Sequence, residues 1–111
     1  MVTEWLDLPA LAERIDEPLA KVRLWVREGK LVVVPHGDRQ VPAVPADLVH
    51  DGRLVKGLFG ALTVLADAGY RPEEALRWLL TDDPALPGRP VDAMAAGRDA
   101  AVKRRAMVLA F

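Results

Sequence analysis

Cationic side chains are concentrated in one short stretch of the chain, KVRLWVREGKLVVVPHGDRQVPA, residues 21–43. Residues 20–40 hold five cations against two acids, a local charge of +3 in a chain of net charge −1. Such focused positive charge is suited to phosphate and base-edge contacts with nucleic acid. The cations are Lys21, Arg23, Arg27, Lys30 and Arg39.

Two short helices are predicted to position the first of these cations. Apolar residues at i, i+3, i+4 and i+7 predict a first helix over residues 8–15. Asp16 is then expected to cap a second helix, with Pro18 in its first turn and Gly29 ending it. Two short helices joined by a tight turn predict a helix-turn-helix.

The second helix divides into two faces on a projection of 100° per residue. Arg23 lies at the boundary between them. The face predicted to join the core consists of Leu19, Val22 and Val26, with Trp25 on its flank. The opposite face carries Lys21, Leu24, Arg27 and Glu28.

A small hairpin is predicted directly after this helix. The β-branched run of residues 31–34 predicts a strand, residues 35–38 a turn, and residues 39–44 a return strand limited by Pro42 and Pro45. A helix-turn-helix followed by a two-stranded hairpin is the order of a winged helix. The stretch therefore predicts a DNA-reading helix with a wing beside it.

Residues 6–44 resemble MerR-type and excisionase-type winged helices through the segment KVRLWVREGKL. Arg23, Trp25 and the pair Glu28-Gly29 match the pattern, whereas Leu24 replaces its first aromatic residue and Lys30 an apolar residue. The whole chain more closely resembles a small actinobacterial family of winged-helix DNA-binding proteins. A mycobacterial member of that family is a substrate of a Ser/Thr protein kinase, so the resemblance implies such a kinase as a partner. Because only residues 1–4 precede the predicted fold, we expect that member's phosphorylatable N-terminal tail to have no counterpart here.

The second half of the chain is predicted to be helical. Helices are expected over residues 54–68, from Pro72 onward, and over residues 91–96 and 99–109. The fold class is therefore mainly α: a winged helix-turn-helix with a two-stranded hairpin wing, followed by a C-terminal helical bundle packed on it. We expect residues 1–46 to form the DNA-binding region and residues 47–111 a helical region of the same compact unit.

Several classes of function and site are disfavoured. The chain has no cysteine and no serine, and no nucleophile–base pair or phosphate-binding Gly loop, so we expect neither an enzyme nor a cofactor. His36 and His50 each lack a second ligand nearby, so no metal site is expected. Because no signal peptide and no membrane-length apolar run is found, we expect a cytoplasmic protein, nucleoid-associated when bound to DNA.

Two functions remain open. The first is a sequence-specific transcriptional regulator that binds double-stranded DNA, as a homodimer through its C-terminal helices. In it, Lys21 and Arg27 contact phosphates or base edges, Arg23 holds phosphate, and Arg39 reaches the backbone or minor groove; Lys30 adds positive charge to this surface. The second is an antitoxin-like protein-interaction module, because the block WLLTDDPALPGRPVDAM resembles the C-terminal region of certain antitoxins.

Overall fold

The computed structural model describes Val2 and residues 4–110 and contains short helices and small antiparallel sheets. The helices are α1 Leu8–Arg14, α2 Leu19–Arg27, α3 Leu58–Asp67, α4 Pro72–Leu79, α5 Pro90–Ala95 and α6 Asp99–Leu109. The strands are β1 Trp5–Asp7, β2 Val34–His36, β3 Val41–Pro45, β4 Val49–His50 and β5 Arg53–Leu54, with a 3-10 turn at Ala46–Leu48. The predicted class, a winged helix-turn-helix followed by helices, is confirmed.

The turn between α1 and α2 differs from the predicted one in its capping. Asp16 has φ +55°, and the amides of Asp16 and Glu17 donate to carbonyls of α1, those of Glu13 and Ala12. Asp16 therefore ends α1 in a left-handed conformation, which a short polar side chain tolerates, and does not cap α2 as predicted. Pro18, expected in the first turn of α2, occupies its N-cap position.

The C-terminus of α2 is closed by backbone hydrogen bonds around Gly29. Gly29 has φ +75°, its amide donates to the carbonyl of Val26 over 3.1 Å, and the amide of Lys30 donates to that of Trp25 over 2.9 Å. This pair of bonds is a Schellman motif, in which glycine adopts the left-handed conformation without a Cβ clash. The predicted end of the helix is thus confirmed.

The wing sheet has three strands, where two were predicted. β3 is central in the order β1-β3-β2, and both of its neighbours are antiparallel to it. The turn occupies residues 37–40, two residues later than predicted, because Gly37 and Gln40 take the positive φ angles that close it. Consequently β2 begins at Val34, where the sequence suggested that a strand would end.

A second hairpin precedes the C-terminal helices. Its last residue, Leu54, was predicted to be the first residue of a helix. β4 and β5 pair with His50 opposite Arg53, and the two residues between them, Asp51 and Gly52, both have positive φ. Two consecutive positive φ angles are those of a type I′ turn, which matches the twist of the flanking strands. Helix α3 therefore begins at Leu58 and not at residue 54.

One hydrophobic cluster runs through both halves of the described chain. Its buried members include Leu11 and Val22 of the helix-turn-helix and Leu62 and Val102 of the C-terminal helices. The guanidinium of Arg89, the N-cap residue of α5, lies 3.0 Å from the carboxylate of Asp47 in the 3-10 turn. The wing and α2 are thus held on a common core.

Candidate nucleic-acid interface

The outward face of α2 is open to solvent. Val22 is fully buried on the inner side, whereas Leu24 is 42% exposed on the outer side. The other exposed residues of α2 are Ala20, Lys21, Arg23 and Arg27, and the C-cap residue Glu28 is exposed as well. An α-helix with its side chains is about 10–12 Å across, which fits the B-DNA major groove of about 12 Å width.

Two of the five predicted cations have acidic neighbours. The ammonium of Lys21 lies 2.8 Å from the carboxylate of Glu17 and 5.6 Å from the centroid of the Trp25 ring. That of Lys30 lies 3.4 Å from the carboxylate of Glu28. Both lysine side chains are about half exposed, and the nearby glutamates offset part of their charge.

The three predicted arginines differ from these two lysines. Within Val2 and residues 4–110, Arg23, Arg27 and Arg39 are exposed and take part in no ion pair. On α2, Arg23 and Arg27 are four residues apart and therefore lie on neighbouring turns of one side. Their guanidinium groups are available to an external anion.

Arg39 lies in the turn of the wing. The side-chain amide of Gln40 donates to the carbonyl of Gly37 over 2.9 Å, and the Gln40 backbone amide donates to the same oxygen over 3.1 Å. These two bonds close the turn and fix its backbone. Arg39 is therefore presented on an ordered hairpin tip.

Arg53 was missed by the sequence analysis. A cleft of about 560 Å³ separates α2 from the β4–β5 hairpin, and Lys21, Trp25, Gly52 and Arg53 are among its lining residues. Arg53 is exposed and forms no ion pair within the described part of the chain. The available signal was the dipeptide Asp51-Gly52, which is typical of two-residue hairpins.

A second basic run occupies residues 103–105. It lies inside α6, and the Nε of Arg105 donates to the buried carboxylate of Asp83 over 3.1 Å. Burial raises the pKa of Asp83, but hydrogen bonds from the Ala85 amide and Arg105 outweigh it and hold that pKa below its ordinary value. Arg105 is thus committed to the fold, while Lys103 and Arg104 remain exposed.

Two further properties of the described residues bear on the site. No three of their histidine and carboxylate side chains are grouped closely enough to hold a metal ion. None of their helices has both the length and the apolar character that crossing a membrane demands.

Comparison with known proteins identifies both halves of the chain. Residues 2–49 match the family described as DNA-binding protein Rv2175c, wHTH domain, and residues 55–110 match the Rv2175c C-terminal domain of unknown function. The DNA-binding protein Rv2175c of Mycobacterium tuberculosis (strain ATCC 25618 / H37Rv) is 41% identical over 118 residues, covering 95% of this chain and 80% of that protein.

The fold agrees with this match. The NMR structure of Rv2175c superposes with a TM-score of 0.80 at 38% identity, covering 97% of this chain and 82% of that one. The resemblance to a small actinobacterial winged-helix family is therefore confirmed at the level of that family. The chain belongs to the Rv2175c family and carries a winged helix-turn-helix DNA-binding domain followed by the family's C-terminal domain.

Proposed function

We propose that this protein binds double-stranded DNA in a sequence-specific manner and acts as a transcriptional regulator. The observation that carries the proposal is the outer face of α2, where Arg23 and Arg27 are exposed without an ion-pair partner among the described residues. Arginine forms bidentate hydrogen bonds with both phosphate and guanine. The same two arginines can therefore contribute both to the affinity for DNA and to the recognition of bases.

In this proposal α2 enters the major groove with its Val22 side packed on the protein core. Arg27 contacts a base edge or phosphate, Arg23 holds phosphate, and Arg39 of the wing contacts the neighbouring backbone. Lys21 and Lys30 contribute less, since each shares its charge with a nearby glutamate. Arg53 of the β4–β5 hairpin adds a phosphate contact on the Lys21 side of α2.

We further propose that two copies bind one DNA site through their C-terminal helices. A single short helix and a single wing make few base contacts, and two half-sites enlarge the footprint. Met107 and Val108 of α6 are 48% and 60% exposed, which gives this helix an apolar surface for a second copy. Stoichiometric titration of a long natural site should give two proteins per duplex, and one per duplex at saturation would refute the dimer.

The protein is inferred to act by binding and not by catalysis, in the cytoplasm and on the nucleoid when bound to DNA. A Ser/Thr protein kinase as partner stays a prediction. The sequence has three threonines and no serine. The hydroxyls of Thr63 and Thr81 donate to helix carbonyls, those of Phe59 and Arg77, whereas Thr3 lies outside the described residues.

A salt-dependent binding titration tests the proposal. The double variant Arg23→Ala/Arg27→Ala should lose affinity, and its slope of log K against log salt should fall by about one unit per lost phosphate contact. Arg77→Ala is the matched control, because Arg77 is an exposed arginine on α4 in the C-terminal half. If the unchanged protein and both variants bind DNA with equal affinity and melt normally, α2 does not contact DNA as proposed. That result would favour the protein-interaction alternative.

A further inference from the structure

Leu24 is an exposed apolar side chain in the middle of the cationic face of α2. It is 42% exposed, although leucine is commonly buried, and it lies on the side opposite the buried Val22. Ala20, one turn before it, is also exposed. An apolar strip therefore runs along α2 beside the two arginines Arg23 and Arg27.

The position of Leu24 is the one nearest to the floor of the groove in the proposed binding mode. On a projection of 100° per residue, Leu24 points about 160° away from the centre of the face formed by Leu19, Val22 and Val26. Arg23 and Arg27 lie between the two directions, where long side chains can reach both phosphates and base edges. Leu24 is too short to reach past them, and it has no polar atom to offer a phosphate.

The major-groove edges of the four bases include one methyl group, the C5-methyl of thymine. We propose that Leu24 is a specificity-determining residue that contacts a thymine C5-methyl, so that the target half-site contains a T·A pair opposite the middle of α2. This inference rests on the proposed function. It adds the identity of one recognised base to it.

The experiment removes the methyl group and the leucine separately. A duplex is selected from a random pool with the full chain, and each thymine is then replaced in turn by deoxyuridine, which lacks the methyl but pairs identically. Replacement at one position should weaken binding about fourfold, the change expected for one buried carbon at 25 °C. Leu24→Ala should bind the thymine and deoxyuridine duplexes equally.

Arg77→Ala is the control, since Arg77 is an exposed residue of α4 that lies outside the helix-turn-helix and outside the apolar surface of α6. It should keep the fourfold preference for thymine. Melting curves for both variants should match that of the unchanged protein, because neither residue is buried.

Three results would overturn the inference: no consensus in the selection, no position sensitive to deoxyuridine, or the same sensitivity in Leu24→Ala. In the last two cases, salt-dependent binding that still needs Arg23 and Arg27 would leave the proposed function standing. The first result would also contradict its sequence specificity, and binding that still needs the two arginines would then support DNA binding alone. A protein that binds no duplex at any salt concentration would remove both proposals.

Discussion

The ammonium of Lys21 lies 2.8 Å from the carboxylate of Glu17, four residues earlier in the chain. Lys21 also lies 5.6 Å from the centroid of the Trp25 ring, so this cation faces the flank of α2 and not its centre. The charge at the N-terminal end of the candidate interface is therefore partly offset before any DNA approaches.

Removal of this acid is predicted to strengthen DNA binding. Glu17→Gln leaves a side chain of the same size, releases Lys21 and deletes a negative charge that would repel phosphate. Affinity should rise and the salt slope should steepen by up to about one unit. Lys21→Ala should cost less affinity than Arg27→Ala, and the reverse order would show that Glu17 does not restrain Lys21.

Substitution of Arg27 in α2 and substitution of Arg39 in the wing should affect DNA binding differently. If Arg27 reads a base edge, Arg27→Ala should cost about 1–3 kcal/mol on the preferred duplex and relax preference at one position. If Arg39 contacts phosphate alone, Arg39→Ala should weaken preferred and scrambled duplexes alike and lower the salt slope by about one unit. Titrations on both duplexes, with Arg77→Ala beside them, distinguish the roles. Identical behaviour of the two variants would contradict this assignment.

The bonded pair Asp83 and Arg105 should make stability dependent on pH in the acid range. Because folding lowers the pKa of Asp83, its contribution is present above the unfolded-state pKa and is lost as the pH falls through the folded-state pKa. Asp83→Asn should cost about 1.5–3 kcal/mol at neutral pH. The free energy of unfolding of the Asp83→Asn variant should vary less between neutral pH and about pH 3 than that of the unchanged protein.

Denaturant unfolding at several pH values measures this effect. Asp82→Asn is the control, since Asp82 is exposed and forms no ion pair within the described residues. A pH profile of Asp83→Asn that parallels the parent profile would show that the pair does not stabilise the fold.

Substitution of Gly57, which lies against α6, should destabilise the protein more than substitution of other glycines with positive φ. Gly57 has φ +81°, and a Cβ placed there would lie 2.7 Å from that of Asp99. Gly69 has φ +92° but would meet no atom within 4 Å. Gly69→Ala should therefore cost about 1–2 kcal/mol from backbone strain, and Gly57→Ala about 1–3 kcal/mol more from the clash. Equal melting temperatures would refute the close approach of α3 and α6.

The two predicted regions should not be separable. A fragment that ends at Ala46 keeps the helix-turn-helix and the wing but loses Leu48, Leu62 and Val102 from the shared cluster. We expect this fragment to unfold with little cooperativity, because its remaining apolar residues have lost their packing partners. A sharp thermal transition of the isolated fragment would contradict this prediction.

The sequence by itself was sufficient where a local rule decides the structure. The spacing of apolar residues predicted both helices of the helix-turn-helix, Gly29 predicted the end of α2, and Pro72 predicted the start of α4. Helix periodicity and capping depend on residues within a few positions of one another, so they can be read from a single chain. The concentration of cations on α2 was visible for the same reason.

Only the tertiary structure decided which groups meet across the chain. The pairing of β1 with β3, and the bond from Arg105 to Asp83, join residues that no short-range pattern connects. Long-range contacts depend on how whole elements pack, because many pairings satisfy the same local pattern and the shared core selects one of them.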